Sequence, residues 1–217
     1  MVASTDSEAV MAEQTPVTPL RRHARANREK ILDAARRELT RNPEVSMDDI
    51  AHAAGLARRT VYGHFPTREE LARGLAQEAL DAILSAFRHS TASQCPADEQ
   101  IARFTSEVWD IGDRYRLLMA LAQRALTRAG VADLLAPVRT AVSELIAEGQ
   151  ADGVFATDLP AAVLSDALAA FTLTLLEAQD SEAWAGDSQP VVTAVLVAAG
   201  VSHARAKQVG ASTSNIL

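Results

Sequence analysis

Five apolar residues stand four apart between positions 71 and 87: Leu71, Leu75, Ala79, Ile83 and Phe87. Only an α-helix brings such a series onto one face, and five members require a helix of several turns. A helix that long should bridge an N-terminal unit and the rest of the chain. The surrounding composition agrees with a helical environment. Aromatics are only 4% of the 217 residues, alanine and leucine are plentiful, and β-branched runs are few, which favours an all-α fold. Hydrophobic residues at 48% and charged residues at 23% are ordinary globular usage, and the length supports a sizeable core.

Upstream of this helix the punctuation is dense. Ile31, Ala35 and Leu39 give an apolar stripe on a basic helix over about 26–41, which Asn42-Pro43 ends. Ser46 stands three residues before Asp49, a capping-box start for a short helix carrying Met47, Ile50, Ala51 and Ala54. Gly55 closes that helix, and a second short helix runs from Arg58 to His64. Pro66 breaks the chain again, and Thr67-Arg68-Glu69-Glu70 opens the long helix with a T-x-x-E capping box.

Downstream, after a polar loop over 89–96, the pattern predicts helices near 97–110, 113–128, 131–151, 160–179 and 188–199. Gly112, Gly130, Gly153, Gly186 and Gly200 lie at or near the breaks, and Pro137 kinks or splits its helix. Pro160 suits the first turn of a helix capped by Asp158, and a last short turn starts at Ser202.

Charge divides the chain. Residues 20–73 hold 12 Lys+Arg against 8 Asp+Glu, a net of +4, while residues 74–217 hold 9 against 17, a net of −8. The first nineteen residues add three acids, which closes the sum at −7. Only the basic N-terminal block suits a polyanion.

Two short helices joined by a tight glycine-containing turn and buttressed by a third form a helix-turn-helix arrangement, whose second helix enters the major groove of DNA. Here that helix reads Arg58-Arg59-Thr60-Val61-Tyr62-Gly63-His64-Phe65. Val61 and Phe65, four apart, face inward with Ile50 and Leu71, which leaves Arg58, Arg59, Thr60, Tyr62 and His64 as outward donors.

The stretch MDDIAHAAGLARRTVYGHFPTREEL, preceded by ILDAARREL, resembles the DNA-binding signature of the tetracycline-repressor (TetR) family of transcription regulators. The specific match covers roughly residues 25–85, about a quarter of the chain. The resemblance implies phosphate contacts from Thr60, Tyr62 and His64, with Ser46, Thr67 and Arg68 near the DNA backbone. It leaves Arg58 and Arg59 for base edges, with Met47 and Ala57 close by. It further implies a homodimer on a palindromic double-stranded operator, and a C-terminal domain whose small-molecule effector controls DNA affinity. The parts are then a disordered tail over 1–19, a helix-turn-helix domain over 20–67, and a helical regulatory and dimerisation domain over 68–217.

Two positions depart from the pattern. Ala57 stands where the family often caps the recognition helix with Ser or Thr, and a lost cap costs roughly 1 kcal/mol. Gly63 costs about as much again relative to alanine.

The C-terminal candidates come from the residues alone. Trp109, Tyr115 and Phe171 are the aromatic candidates for a ligand cavity, with Arg124 and Glu177 as polar contacts, against the plainer reading of core aromatics and paired surface charges. Such a lining suits an apolar or aromatic effector. The helices near 160–179 and 188–199, carrying Val163, Leu164, Leu168, Phe171, Leu175, Val192, Val195 and Leu196, are the candidate dimer interface. Arg21, Arg22 and Arg25 form either an arm on the DNA or a solvated basic stretch.

Five histidines with no i,i+4 pair and one cysteine, Cys95, argue against a metal site, and no cofactor fingerprint is present. An enzyme built on acidic residues such as Asp110 and Asp113 is the alternative from another class, but no nucleophile or phosphate cradle accompanies them. With no secretory signal and no membrane span, the chain reads as cytoplasmic.

Overall fold

The computed structural model describes residues 19–92, 95–125, 128–178 and 187–213. Among them are nine α-helices and no strand: α1 (Pro19–Arg41), α2 (Met47–Ala53), α3 (Arg58–His64), α4 (Arg68–Thr91), α5 (Ala97–Ala125), α6 (Arg128–Ala151), α7 (Ala161–Ala178), α8 (Ser188–Ala198) and α9 (His203–Thr213). None is long and apolar enough to cross a membrane.

The first core lies under α1, α2 and α3. Ile31, Leu39, Ile50, Val61 and Phe65 are buried there together with Leu71, Leu75 and Ala79 from the first three turns of α4. The i+4 ladder thus places half of its length in the N-terminal unit. The other half turns to α5 and α6, where Leu80 and Ala86 pack with Phe104 and Val138. There the Phe87 and Phe104 rings meet edge-on, with centroids 5.3 Å apart. The hydroxyl of buried Ser90 donates to the Ala86 carbonyl at 2.8 Å with Glu107 Oε1 3.5 Å away, and burial pushes the Glu107 carboxyl above its ordinary range. One continuous helix therefore has side chains in both the N-terminal core and the helices beyond it.

The remaining core joins α5 to α9. Ile101, Trp109, Ile146, Phe155, Leu164, Leu168, Val192, Val195, Leu196 and Val209 close around one another.

Several boundaries differ from those read in the sequence. Helix α1 begins at Pro19 rather than near residue 26. Ala24, Ala26 and four arginines are good helix formers, Pro19 is tolerated in a first turn, and Arg25 Nε donates to Glu29 at 2.9 Å. Gly112 does not break the chain: α5 runs through it for 29 residues. Its missing side chain makes room for a neighbour, since a Cβ at Gly112 would lie 2.7 Å from Leu176 Cδ1. Pro137 likewise sits inside α6. Helix α7 starts at Ala161, so Pro160 precedes it and contributes its carbonyl, which accepts from Leu164 at 3.0 Å. The turn expected at Ser202 is a full helix, α9.

The interface candidates on α7 and α8 divide sharply. Leu164, Leu168, Val192, Val195 and Leu196 are buried inside the protomer, whereas Val163 is 50% exposed and Phe171 38% exposed. The sequence period marked all of them as apolar but could not say which core claimed them.

Candidate nucleic-acid interface

The first short helix is fixed at both ends. The Ser46 hydroxyl accepts from the Asp49 backbone N–H at 3.1 Å, and Asp49 Oδ2 accepts from the Ser46 N–H at 3.3 Å. This is the capping box read in the sequence. Hydrogen bonds from the Ser46 hydroxyl and backbone hold the Asp49 carboxyl below its usual range. At the other end Gly55 takes φ +65°, the left-handed turn that only glycine adopts at no cost, and α3 follows three residues later.

Helix α3 starts at Ala57 without a side-chain cap. Buried Val61 and Phe65 anchor it, so its other faces are displayed. Arg58 and Arg59 are exposed, while Thr60, Tyr62 and His64 are half-buried. His64, in the last turn, favours the negative end of the helix dipole. A Cβ at Gly63 would meet no atom within 4 Å. Gly63→Ala is therefore expected to stabilise the DNA-free protein by about 0.5–1 kcal/mol, measured by urea denaturation. An unchanged or lower midpoint would show that the Gly63 backbone is not an ordinary exposed helical position.

Thr67 caps α4, accepting from the Glu70 N–H at 3.2 Å. The reciprocal half of the expected box is missing, because Glu70 pairs with Arg73 instead. The backbone N–H of Glu69 and the Thr67 hydroxyl together hold the Glu69 carboxyl below its usual range.

Two residues read as lying at the DNA are used elsewhere. Arg68 donates to the carbonyls of Val45 and Pro43, strapping α4 to the turn before α2. Met47 is buried among Ile50 and its neighbours in the first core. Ser46, Ala57 and Thr67 are at or near the surface, Ser46 being bound to Asp49 as described.

Other contacts were not legible in the sequence. Asp48 Oδ2 accepts from Arg58 Nη1 at 2.8 Å, and the same guanidinium lies 5.2 Å from the Tyr62 ring centroid. Arg28 lies 5.3 Å from the Phe65 ring, which sets α1 beside the end of α3. Arg36 Nη1 donates to Glu78 at 2.7 Å and ties α1 to α4. Arg58 and Tyr62 are four apart on α3, but the other pairs follow no helical period, so no spacing announces them.

This geometry, a displayed short helix with five polar side chains on a closed three-helix core, is matched over residues 31–75 by the family model described as bacterial regulatory proteins, tetR family. Over those residues the chain is similar to the tetR family. The chain is also similar to the HTH-type transcriptional repressor LfrR of Mycolicibacterium smegmatis, with 35% identity over 85 residues. That match covers 39% of this chain and spans 45% of the repressor's length. The crystal structure of LfrR with proflavine shares the fold at a TM-score of 0.63 and 24% identity, covering 82% of this chain and 96% of that one. The transcriptional regulator FadR of Bacillus subtilis, solved with stearoyl-CoA, gives a TM-score of 0.68 at 18% identity, over 81% of this chain and 99% of that one.

In the C-terminal half the tetR-type layout brings fewer of the candidates together. Trp109 is buried in the α5–α9 core and Phe171 is exposed on α7, so the two do not face a common cavity. The side chains of Tyr115, Arg124 and Glu177 lie outside the described residues. A small cleft of about 100 Å³ lies instead between α5 and α9, lined by Glu99, Arg103, Arg205, Gln208 and Thr213. Among the described residues, no group of three His, Cys, Asp or Glu is placed to hold a metal ion.

Proposed function

We propose that this chain is a transcriptional repressor that binds a palindromic operator as a homodimer and is released by a small, largely apolar ligand. The observation that carries the reading is α3: five polar side chains on one short helix, held outward by Val61 and Phe65. In a two-fold dimer the two copies of α3 would occupy successive major grooves about 34–36 Å apart.

Helix α4 is the natural transmitter. Its first turns belong to the DNA-binding core and its later turns pack on α5 and α6. A ligand that shifts α5 or α6 would change the spacing of the two recognition helices. DNA and ligand must then weaken each other by the same factor, typically 5–150-fold. The ligands named with the similar regulators, proflavine and stearoyl-CoA, each carry a large apolar part, a fused aromatic ring system or a long acyl chain, beside charged groups.

Arg59 and Tyr62 give the test. Arg59 is exposed and has no ion pair among the described residues, which leaves its guanidinium free for a base edge. Arg59→Ala is expected to cost about 1–3 kcal/mol on the selected operator and to relax sequence preference. Tyr62→Ala should weaken all duplexes alike, since a phosphate contact carries no sequence information. Fluorescence anisotropy with selected and scrambled duplexes measures both. Equal losses on the two duplexes for Arg59→Ala would remove its base-reading role.

A regulator without an effector is the second reading. The buried Trp109 and the exposed Phe171 favour it, because one aromatic lining candidate is committed to the core and another faces outward. Titrating apolar compounds into the DNA complex separates the two readings.

A further inference from the structure

Arg58 is the only residue of α3 gripped on two sides among the described contacts. Asp48, in the first turn of α2, takes its Nη1 at 2.8 Å, and the Tyr62 ring lies under its guanidinium. The side chains of Arg58 and Asp48 remain 68% and 48% exposed, so the pair sits at the displayed surface rather than in the core. An exposed pair of this kind does little for stability, but it selects among the rotamers of a long side chain.

We infer that Asp48 is a specificity-determining positioning residue, which holds Arg58 so that its free edge reads a base and not a phosphate. The inference rests on the DNA-binding reading above. With Nη1 committed to Asp48, the Nε and Nη2 hydrogens form the edge that remains. That edge has the paired-donor geometry that matches guanine O6 and N7. The Tyr62 ring centroid lies 5.2 Å from Arg58 Cζ and bounds the guanidinium on its other side without choosing which edge is free. The Asp48 carboxylate also repels phosphate, so an Arg58 held beside it is a poor non-specific contact. A lone arginine at the same position would take whichever phosphate came nearest.

The experiment is a selection from a duplex library with a randomised centre, run with the full chain, Arg58→Ala, Asp48→Asn and the double variant. Asp48→Asn keeps the shape of the side chain and removes the charge. Glu44→Gln removes a neighbouring charge without touching Arg58 and controls for net charge. Arg58→Ala should abolish preference at one base pair in each half-site, with roughly tenfold weaker binding to the wild-type consensus. Asp48→Asn should reduce preference at that same base pair about fivefold, the most an exposed pair delivers, and leave the others intact. On top of Arg58→Ala it should change nothing. Glu44→Gln should leave every base preference in place.

Asp48→Asn binding selected and scrambled duplexes more tightly by the same factor, with its consensus unchanged, would overturn the inference and make Asp48 a mere repelling charge. So would an Arg58→Ala variant with every base preference preserved. A wild-type selection that enriches no sequence is a different result. It would defeat the DNA-binding reading itself, and the inference with it.

Discussion

Phe171→Glu combined with Leu173→Glu is expected to turn the protein into a monomer that has lost most of its operator affinity. Among the described residues, helix α7 has an outer face that is exposed. Val163, Phe171 and Leu173 are exposed on it, with Ala162, Ala167, Ala169 and Ala170 between them. Among the described side chains, the one charge on that face, Asp166, is held by Arg139 through two hydrogen bonds of 2.8 and 2.6 Å. Val197 on α8 adds to the exposed apolar surface. A face of this kind marks an interaction site, and a two-fold axis through it would pair the face with its own copy.

Glutamates there would meet their symmetry mates as like charges in a desolvated seam. A monomer keeps one recognition helix and loses the second, effectively intramolecular contact, which is worth roughly 10²–10⁴-fold in affinity. Sedimentation at micromolar concentration reads the oligomeric state, and anisotropy reads binding. Because the substituted positions are exposed, the melting temperature of the monomer should remain close to that of a concentration-diluted wild type. A variant that stays dimeric would move the interface off α7. A monomer that binds as tightly as wild type would remove the need for a dimer.

The sequence was most legible where local chemistry decides structure. The i+4 ladder fixed α4, the Ser46–Asp49 pair fixed the start of α2, and Gly55 fixed the turn. It was least legible where the deciding partner is far away in the chain. Gly112 looked like a break because its reason, the Leu176 side chain, is 64 positions distant. Arg68 looked like a phosphate donor because the Pro43 and Val45 carbonyls that occupy it belong to another turn. The apolar residues of α7 and α8 all read alike, yet Leu164 and Val192 face inward while Val163 and Phe171 face out. Period alone finds an apolar face. It does not say whether the same chain or a second copy covers it.

Arg205→Ala is expected to destabilise the C-terminal half by roughly 3 kcal/mol, near the lower end of the range for breaking a buried ion pair. The pair joins α9 to the start of α5. Arg205 Nε donates to Asp98 Oδ2 at 2.7 Å, and Nη2 donates to Asp98 Oδ1 at 3.2 Å and to Glu99 Oε1 at 2.9 Å. Asp98 is the buried member, with its side chain only 5% exposed, whereas Arg205 is 35% exposed. Removing the arginine therefore strands a carboxylate in the core, while Arg205 itself was never fully desolvated, which keeps the loss from reaching the upper end. Hydrogen bonds to Asp98, then to Glu99, raise the Arg205 pKa above the ordinary guanidinium range. A raised pKa on a cation contributes stability at every pH below the unfolded value, so the arginine's part of the pair is undiminished at neutral pH. Asp98→Asn with Arg205→Met should recover most of the loss, because it removes the stranded charge along with its partner. Trp109 is buried in the α5–α9 core, so its fluorescence in a urea titration follows this unit. The N-terminal core of Ile31, Ile50, Val61 and Leu71 shares no residue with the pair. Arg205→Ala should accordingly lower the tryptophan transition before it disturbs binding to the selected duplex. A midpoint within error of wild type would mean that water, with the Glu99 backbone N–H that already donates to Asp98 Oδ1 at 3.0 Å, satisfies the carboxylate without the arginine, and that α9 is held by its apolar contacts alone.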